Sequence, residues 1–131
     1  MMKSVRHRLP TSMCVVVLLA IISGCHQRGT TVLAEQVSGG NAKNGEHLIY
    51  TYGCGTCHVI PGIGGPQGTA GPPLRGFASR IYIAGVLDNT PENLVRWVTK
   101  PQDVVPGTAM PDLAVTKDQA RDIAAYLYTL Q

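Results

Sequence analysis

"TYGCGTCHVI", residues Thr51 to Ile60, decides how this chain is read. Two cysteines three positions apart, with a histidine directly after the second, admit four chemistries. They are a dithiol redox pair, half of a metal clip, a disulfide, or the two covalent tethers of a haem whose iron is held by His58. A disulfide between Cys54 and Cys57 closes a tiny loop, so it removes little entropy from the unfolded chain. A zinc site needs two further soft ligands at characteristic spacing, and beyond the first 24 residues the other histidines are only His26 and His47. A thioredoxin-like redox motif belongs to a β-α-β setting, whereas Cys54 follows a helical pattern and precedes a run of glycine and proline. C-x-x-C-H is the attachment sequence of a c-type haem. On a helical turn, positions three apart share a face, so both thiols can reach the vinyl carbons on one porphyrin edge while the next imidazole swings beneath the iron. The stretch therefore predicts one haem c, covalent through Cys54 and Cys57, with His58 as a metal ligand.

Outward from this motif, the next issue is the ligand on the other face of the ring. Met1, Met2 and Met13 precede residue 24, which leaves Met110 as the sole thioether beyond it. Met110 sits in "VPGTAMPDL" (105–113), where Pro106, Gly107 and Pro111 favour an extended loop able to present sulfur opposite His58. His47, the rival donor, falls beside the packing face of a predicted helix and reads as a surface residue. His58 with Met110 fills both axial positions and raises the reduction potential relative to two histidines. That predicts outer-sphere electron transfer, with no small-molecule substrate and no enzymatic activity. No nucleophile, general base or paired carboxylate stands near the motif. Asp112 and Asp118 read as a turn residue and a first-turn helix residue, where negative charge suits the helix dipole.

The N-terminal part is of another kind. Lys3, Arg6 and Arg8 precede the apolar run "MCVVVLLAII" (13–22) and "SGC" (23–25). A basic start, a short apolar middle and small residues describe an export signal, and ten apolar residues fall short of the ~20 that span a bilayer. "ISGC" resembles the lipobox of bacterial lipoproteins, which implies cleavage after residue 24, lipid on Cys25, and a place on the periplasmic side of a bacterial membrane. Residues 25–40 lack sustained periodicity and end in Gly39–Gly40, so they are expected to form a flexible tether. Removing 1–24 leaves eight basic and eight acidic residues. Such a neutral, interspersed distribution does not suit a nucleic-acid binder. It also predicts docking led by apolar contacts, with weaker salt dependence than a strongly basic protein would show.

The domain is expected over 41–131. "NAKNGEHLIYTYG" offers an N-cap at Asn41, then Gly45, Leu48, Ile49 and Tyr52 along one helical face. "TPEN" supplies a capping Thr90 with Pro91 at the first helical position, and Leu94, Val95 and Val98 follow before Pro101 stops the helix. Thr116 and Gln119 fit a capping box ahead of Ala120, Ile123, Ala124 and Leu127. No alternating pattern argues for a sheet. Between the motif and the middle helix, "PGIGGPQGTAGPP" (61–73) carries five glycines and four prolines. It reads as an irregular loop and lacks the spacing of a phosphate-binding loop. Seven aromatic residues and short helices make a poor core, and a large apolar cofactor would supply the missing interior.

Together, "CGTCH", "GPPLRG", "PENLVRWVTKP", "VPGTAMP" and "DIAAYLYTL" resemble the class I, mitochondrial-type cytochromes c, including bacterial forms associated with terminal oxidases. The resemblance runs from about Asn41 to Gln131 and implies an all-α shell of three to four short helices round one haem, with Gly45 permitting the first and last helices to cross. It implies further that the Pro72 carbonyl accepts a hydrogen bond from the His58 ring, and that Arg80 and Thr108 approach haem propionates. Trp97 would lie beside the Met110 sulfur. Asn89 stands about where many members carry a propionate-binding tryptophan, a departure from the pattern. The implied function is a monomeric, lipid-anchored one-electron carrier between a quinol-oxidising complex and a terminal oxidase or other reductase. The alternatives are a haem subunit of an oxidase, or a small-ligand or peroxide-reactive haem protein if Met110 is labile.

Overall fold

A computed structural model describes residues 30, 31 and 33–131. The expected signal at 1–24 and Cys25 lie outside them. The described helices are α1 (33–38, with 30 and 31 also helical), α2 (Ala42–Thr51), α3 (Pro91–Thr99), α4 (Pro101–Val104) and α5 (Lys117–Leu127). Two 3-10 turns, Cys54–Thr56 and Phe77–Ser79, join them. The expected caps are in place. Asn41, Thr90 and Thr116 each accept a hydrogen bond from a backbone N–H of their helix's first turn, and Gln119 completes the box with Thr116.

The frame is set by α2 crossing α5. A Cβ placed on Gly45 would lie 2.0 Å from the Asp122 carbonyl oxygen, so only glycine lets the two backbones approach this closely. Ile49, Leu94, Val98, Ile123 and Leu127 then meet in one core from α2, α3 and α5. Polar ties hold the crossing in register. The Tyr52 hydroxyl donates to Gln119 Oε1 (2.9 Å), and the Tyr126 hydroxyl donates to the Pro61 carbonyl (2.7 Å), fastening the glycine-proline loop to α5. No described helix is long and apolar enough to cross a membrane.

Three details differ from the expectation. The second half of the expected tether is not loose: Ala34 and Ser38 are buried, Glu35 Oε1 accepts from Ala42 N (2.9 Å), and Asn41 N donates to Asp122 Oδ1 (2.7 Å). Its inward face is built from alanine and serine, with Leu33 and Val37 turned outward, so hydrophobic periodicity does not reveal it. Pro101 does stop α3, yet it also opens the separate one-turn helix α4 from its first position, where a missing N–H costs nothing. Finally, Tyr82–Ile83 and Leu87–Asp88 form a short antiparallel ladder round Ala84 and Gly85, both at positive φ. A two-residue strand is too short to show alternation.

Asn89 follows this ladder as a hub. Its Nδ2 donates to the Phe77 (3.0 Å) and Arg80 (2.9 Å) carbonyls, and its Oδ1 accepts from the Tyr128 hydroxyl (3.0 Å). Burial, with Glu92 nearby, pushes the Tyr128 hydroxyl up to about 12 from an ordinary 10.0. The neutral phenol is thus favoured in the fold. Its stabilisation is complete below pH 10 and is lost as pH rises through about 12. Thermal unfolding followed between these limits is expected to fall less steeply with pH in Tyr128→Phe than in the parent, and equal slopes would contradict the assignment.

Candidate functional site

The helices enclose an apolar cavity of about 490 Å³. All eight cofactor-site residues named from the sequence line it: Cys54, Cys57, His58, Pro72, Arg80, Trp97, Thr108 and Met110. Ile49 comes from α2, Leu94 and Val98 from α3, and Ile123 and Leu127 from α5. The lipidation candidate Cys25 lies outside the described residues.

Gly53, at φ +67, turns the chain out of α2 and into the 3-10 turn that carries the thiols. His58 N donates to the Cys54 carbonyl (3.1 Å), which keeps the histidine on the same turn. Its Nδ1 lies 2.7 Å from the Pro72 carbonyl, so Nδ1 carries the proton and Nε2 is left as the basic nitrogen. Gly71 leaves room for this. A Cβ there would stand 2.3 Å from Cε1 of the ring, while Gly71 N is itself held by the Cys57 carbonyl (2.8 Å). Gly68 makes a similar approach, since its Cβ would meet the Thr56 carbonyl oxygen at 1.9 Å. The glycine-proline loop therefore follows the motif's backbone at a distance no side chain permits.

Met110, also on the cavity wall, sits in an extended loop, with its N–H near Thr108 Oγ1 (3.4 Å). Lys100 Nζ and Asp112 Oδ2 close the base of this loop (2.8 Å). Their hydrogen bond raises the Lys100 ammonium and lowers the Asp112 carboxyl, which also accepts from Ala114 N–H. Both are exposed, so the pair defines geometry more than stability. Arg80 is held by the carbonyls of Pro73 and Arg75, with its guanidinium 5.5 Å from the centre of the Phe77 ring. The Asn89 amide, with both donors spent on the Phe77 and Arg80 carbonyls, does not line the cavity and so does not take the place of a propionate-binding tryptophan.

The donor set fits a covalently held haem and suits the other chemistries poorly. Cys54 and Cys57 are not joined to each other. Burial raises the Cys54 thiol, the opposite of the lowered thiol of a reactive dithiol pair. Among the described residues no group of three or more His, Cys, Asp or Glu could hold a metal ion. What remains is an apolar space of cofactor size with two thiols, one oriented imidazole and one thioether on its walls. This is the crevice of a c-type haem protein. The cytochrome c family model matches residues 42–131, and the chain belongs to that family, whose members are electron-transfer haem proteins of all-α fold. The chain is 33% identical over 91 residues to cytochrome c oxidase subunit 2 of Alkalihalophilus pseudofirmus (strain ATCC BAA-2126 / JCM 17055 / OF4). It is likewise 33% identical over 94 residues to cytochrome c oxidase subunit 2 of Bacillus sp. (strain PS3). Each match covers 69% of this chain but 26% of the relative, so the chain spans about a quarter of the length of the relatives it matches.

Sequence reasoning passed over Gly71 as the clearance for His58, Asn89 as a polar hub, and Gln102 beside the methionine loop. The signal for Gly71 is the glycine that opens "GPPLRG" (71–76). For Asn89 and Gln102 no pattern in one sequence marks the role.

Proposed function

We propose that the protein is a one-electron carrier holding one haem c through Cys54 and Cys57, with His58 and Met110 as axial ligands. The observation that carries this is the placement of both thiols, an imidazole with its Nδ1 already bonded, and the Met110 loop on the walls of one apolar cavity. When bound, the haem iron supplies a centre that gains and loses a single electron. The chain's part is to hold it so that little moves as the charge changes. Pro72 fixes the imidazole plane and makes Nε2 a stronger donor. Met110 would hold the iron from its loop, and Arg80 and Thr108, which line the same cavity, would be partners for propionates. With His58 and Met110 both holding the iron, no open position would be left for a substrate, which supports electron transfer rather than catalysis as the role.

The similarity to oxidase subunit 2 supports a terminal oxidase as acceptor, with a quinol-oxidising complex or another reductase as further partners. Lipid on Cys25 would place a monomer on the periplasmic side of a bacterial membrane. The same similarity favours one second reading, a haem subunit fixed within an oxidase complex. Co-purification with oxidase after mild solubilisation separates the two.

The ligand assignment is tested by Met110→Ala. Ferric wild type is expected to show the weak far-red charge-transfer band of iron–thioether ligation, and the variant to lose it together with a drop in reduction potential. A variant that keeps the band excludes Met110.

A further inference from the structure

Gln102 is the second residue of α4, and its ring-bearing neighbour Pro101 is fully buried. Its side chain is exposed, yet three hydrogen bonds engage its amide. Nε2 donates to the Thr108 carbonyl (2.8 Å) and the Met110 carbonyl (3.0 Å), and Oε1 accepts from Gly107 N–H (3.1 Å). Among the described residues no other protein group bonds these three backbone atoms. The three span the turn made by Gly107 at φ +80 and end on the residue that bears the thioether. Only a primary amide on a two-carbon stem meets all three. A carboxylate satisfies Gly107 but sets negative oxygen against two carbonyls, an ammonium cannot accept, and asparagine is one methylene short.

From this geometry we infer that Gln102 is a positioning residue for the methionine ligand, a latch that holds the 105–113 loop in its closed form. The inference rests on the axial reading given above. Because the latched atoms are near solvent, water replaces the amide when it is removed, so the domain still folds. What changes is the balance between a loop with Met110 seated and one with it withdrawn. An external base binds iron only in the second form, so its apparent affinity reports the withdrawn fraction directly.

The test uses ferric holoprotein of wild type, Gln102→Leu and Gln102→Glu, each titrated with imidazole, with the far-red band and the thermal midpoint recorded before titration. Gln102→Leu is expected to keep the band and to melt within a few degrees of wild type, while binding imidazole roughly tenfold more tightly, equivalent to about 1.4 kcal/mol. Gln102→Glu is expected to bind at least as tightly as the leucine variant, since it retains one bond and adds repulsion at two. Equal imidazole affinity in wild type and Gln102→Leu, with the band present in both, overturns the latch and leaves the ligation reading standing. A ferric wild type without the band overturns the ligation reading and the latch together.

Discussion

Gly71→Ala is expected to cost the protein His58 as the proposed haem ligand. The added methyl would sit 2.3 Å from Cε1 and 2.6 Å from Nδ1 of His58, well inside contact distance. Neither side can yield cheaply. The residue's own N–H is bonded to the Cys57 carbonyl, and the ring is fixed by its 2.7 Å bond to Pro72. If the ring gives way, it loses the proton acceptor that sets its tautomer and orientation. Loss of such a supporting contact lowers metal affinity or activity by roughly 10–100-fold, and here the ligand itself is displaced as well. Because thioether bonds to Cys54 and Cys57 would keep the haem attached without the imidazole, the expected change is in ligation: the holoprotein turns high-spin and binds added imidazole roughly tenfold more tightly than the parent. Pro72→Ala is the matched control, because it keeps the carbonyl and leaves the ring its partner. A Gly71→Ala protein with parental imidazole affinity and low-spin spectrum would show that the His58 ring is not confined as described.

Gly45→Ala sets two effects of opposite sign against each other. In an exposed helix, alanine for glycine stabilises by about 1 kcal/mol. Gly45 instead faces the α5 backbone, where the new methyl would stand 2.0 Å from the Asp122 carbonyl oxygen and 3.0 Å from Cβ of Tyr126. Forced separation of two packed helices costs about 1–3 kcal/mol or more and loosens the core beneath them. The clash is expected to win, leaving the variant about 2 kcal/mol less stable, which lowers the midpoint of a domain of this size by ~8 °C or more. Equilibrium denaturation of Gly45→Ala beside Lys43→Ala, on the exposed side of α2, checks the sign. Stabilisation by Gly45→Ala would mean that the helices do not touch there.

Much of this architecture is written in local chemistry. Asn41, Thr90, Pro91, Thr116 and Gln119 mark helix starts through bonds to their own first turns, so they can be read without knowing what packs where. Cys54, Cys57 and His58 are legible for the same reason, because their chemistry depends on spacing alone. Met110 followed by counting. The parts that stayed hidden depend on partners far along the chain. The buried face of α1 is only Ala34 and Ser38, the amide of Asn89 is occupied by Phe77, Arg80 and Tyr128, and that of Gln102 by a loop whose path depends on the whole cavity. No periodicity encodes such pairings.

Nearly every part of the shell is tied to α5 and the residues just after it. Gly45 packs on it, Tyr52 bonds to Gln119, Tyr126 holds Pro61, Tyr128 holds Asn89, and the Leu130 carbonyl accepts from Ala78 N (3.0 Å). A polypeptide leaves a ribosome or an export channel from its amino end, so the stretch bearing Cys54 to His58 emerges well ahead of the segment that seals it. During that interval α2 has no partner for its glycine face and the thiols stand in an open trough. If the haem is attached through these thiols, as proposed, that interval would leave them within reach, and the late arrival of α5 would act as the closing of a door.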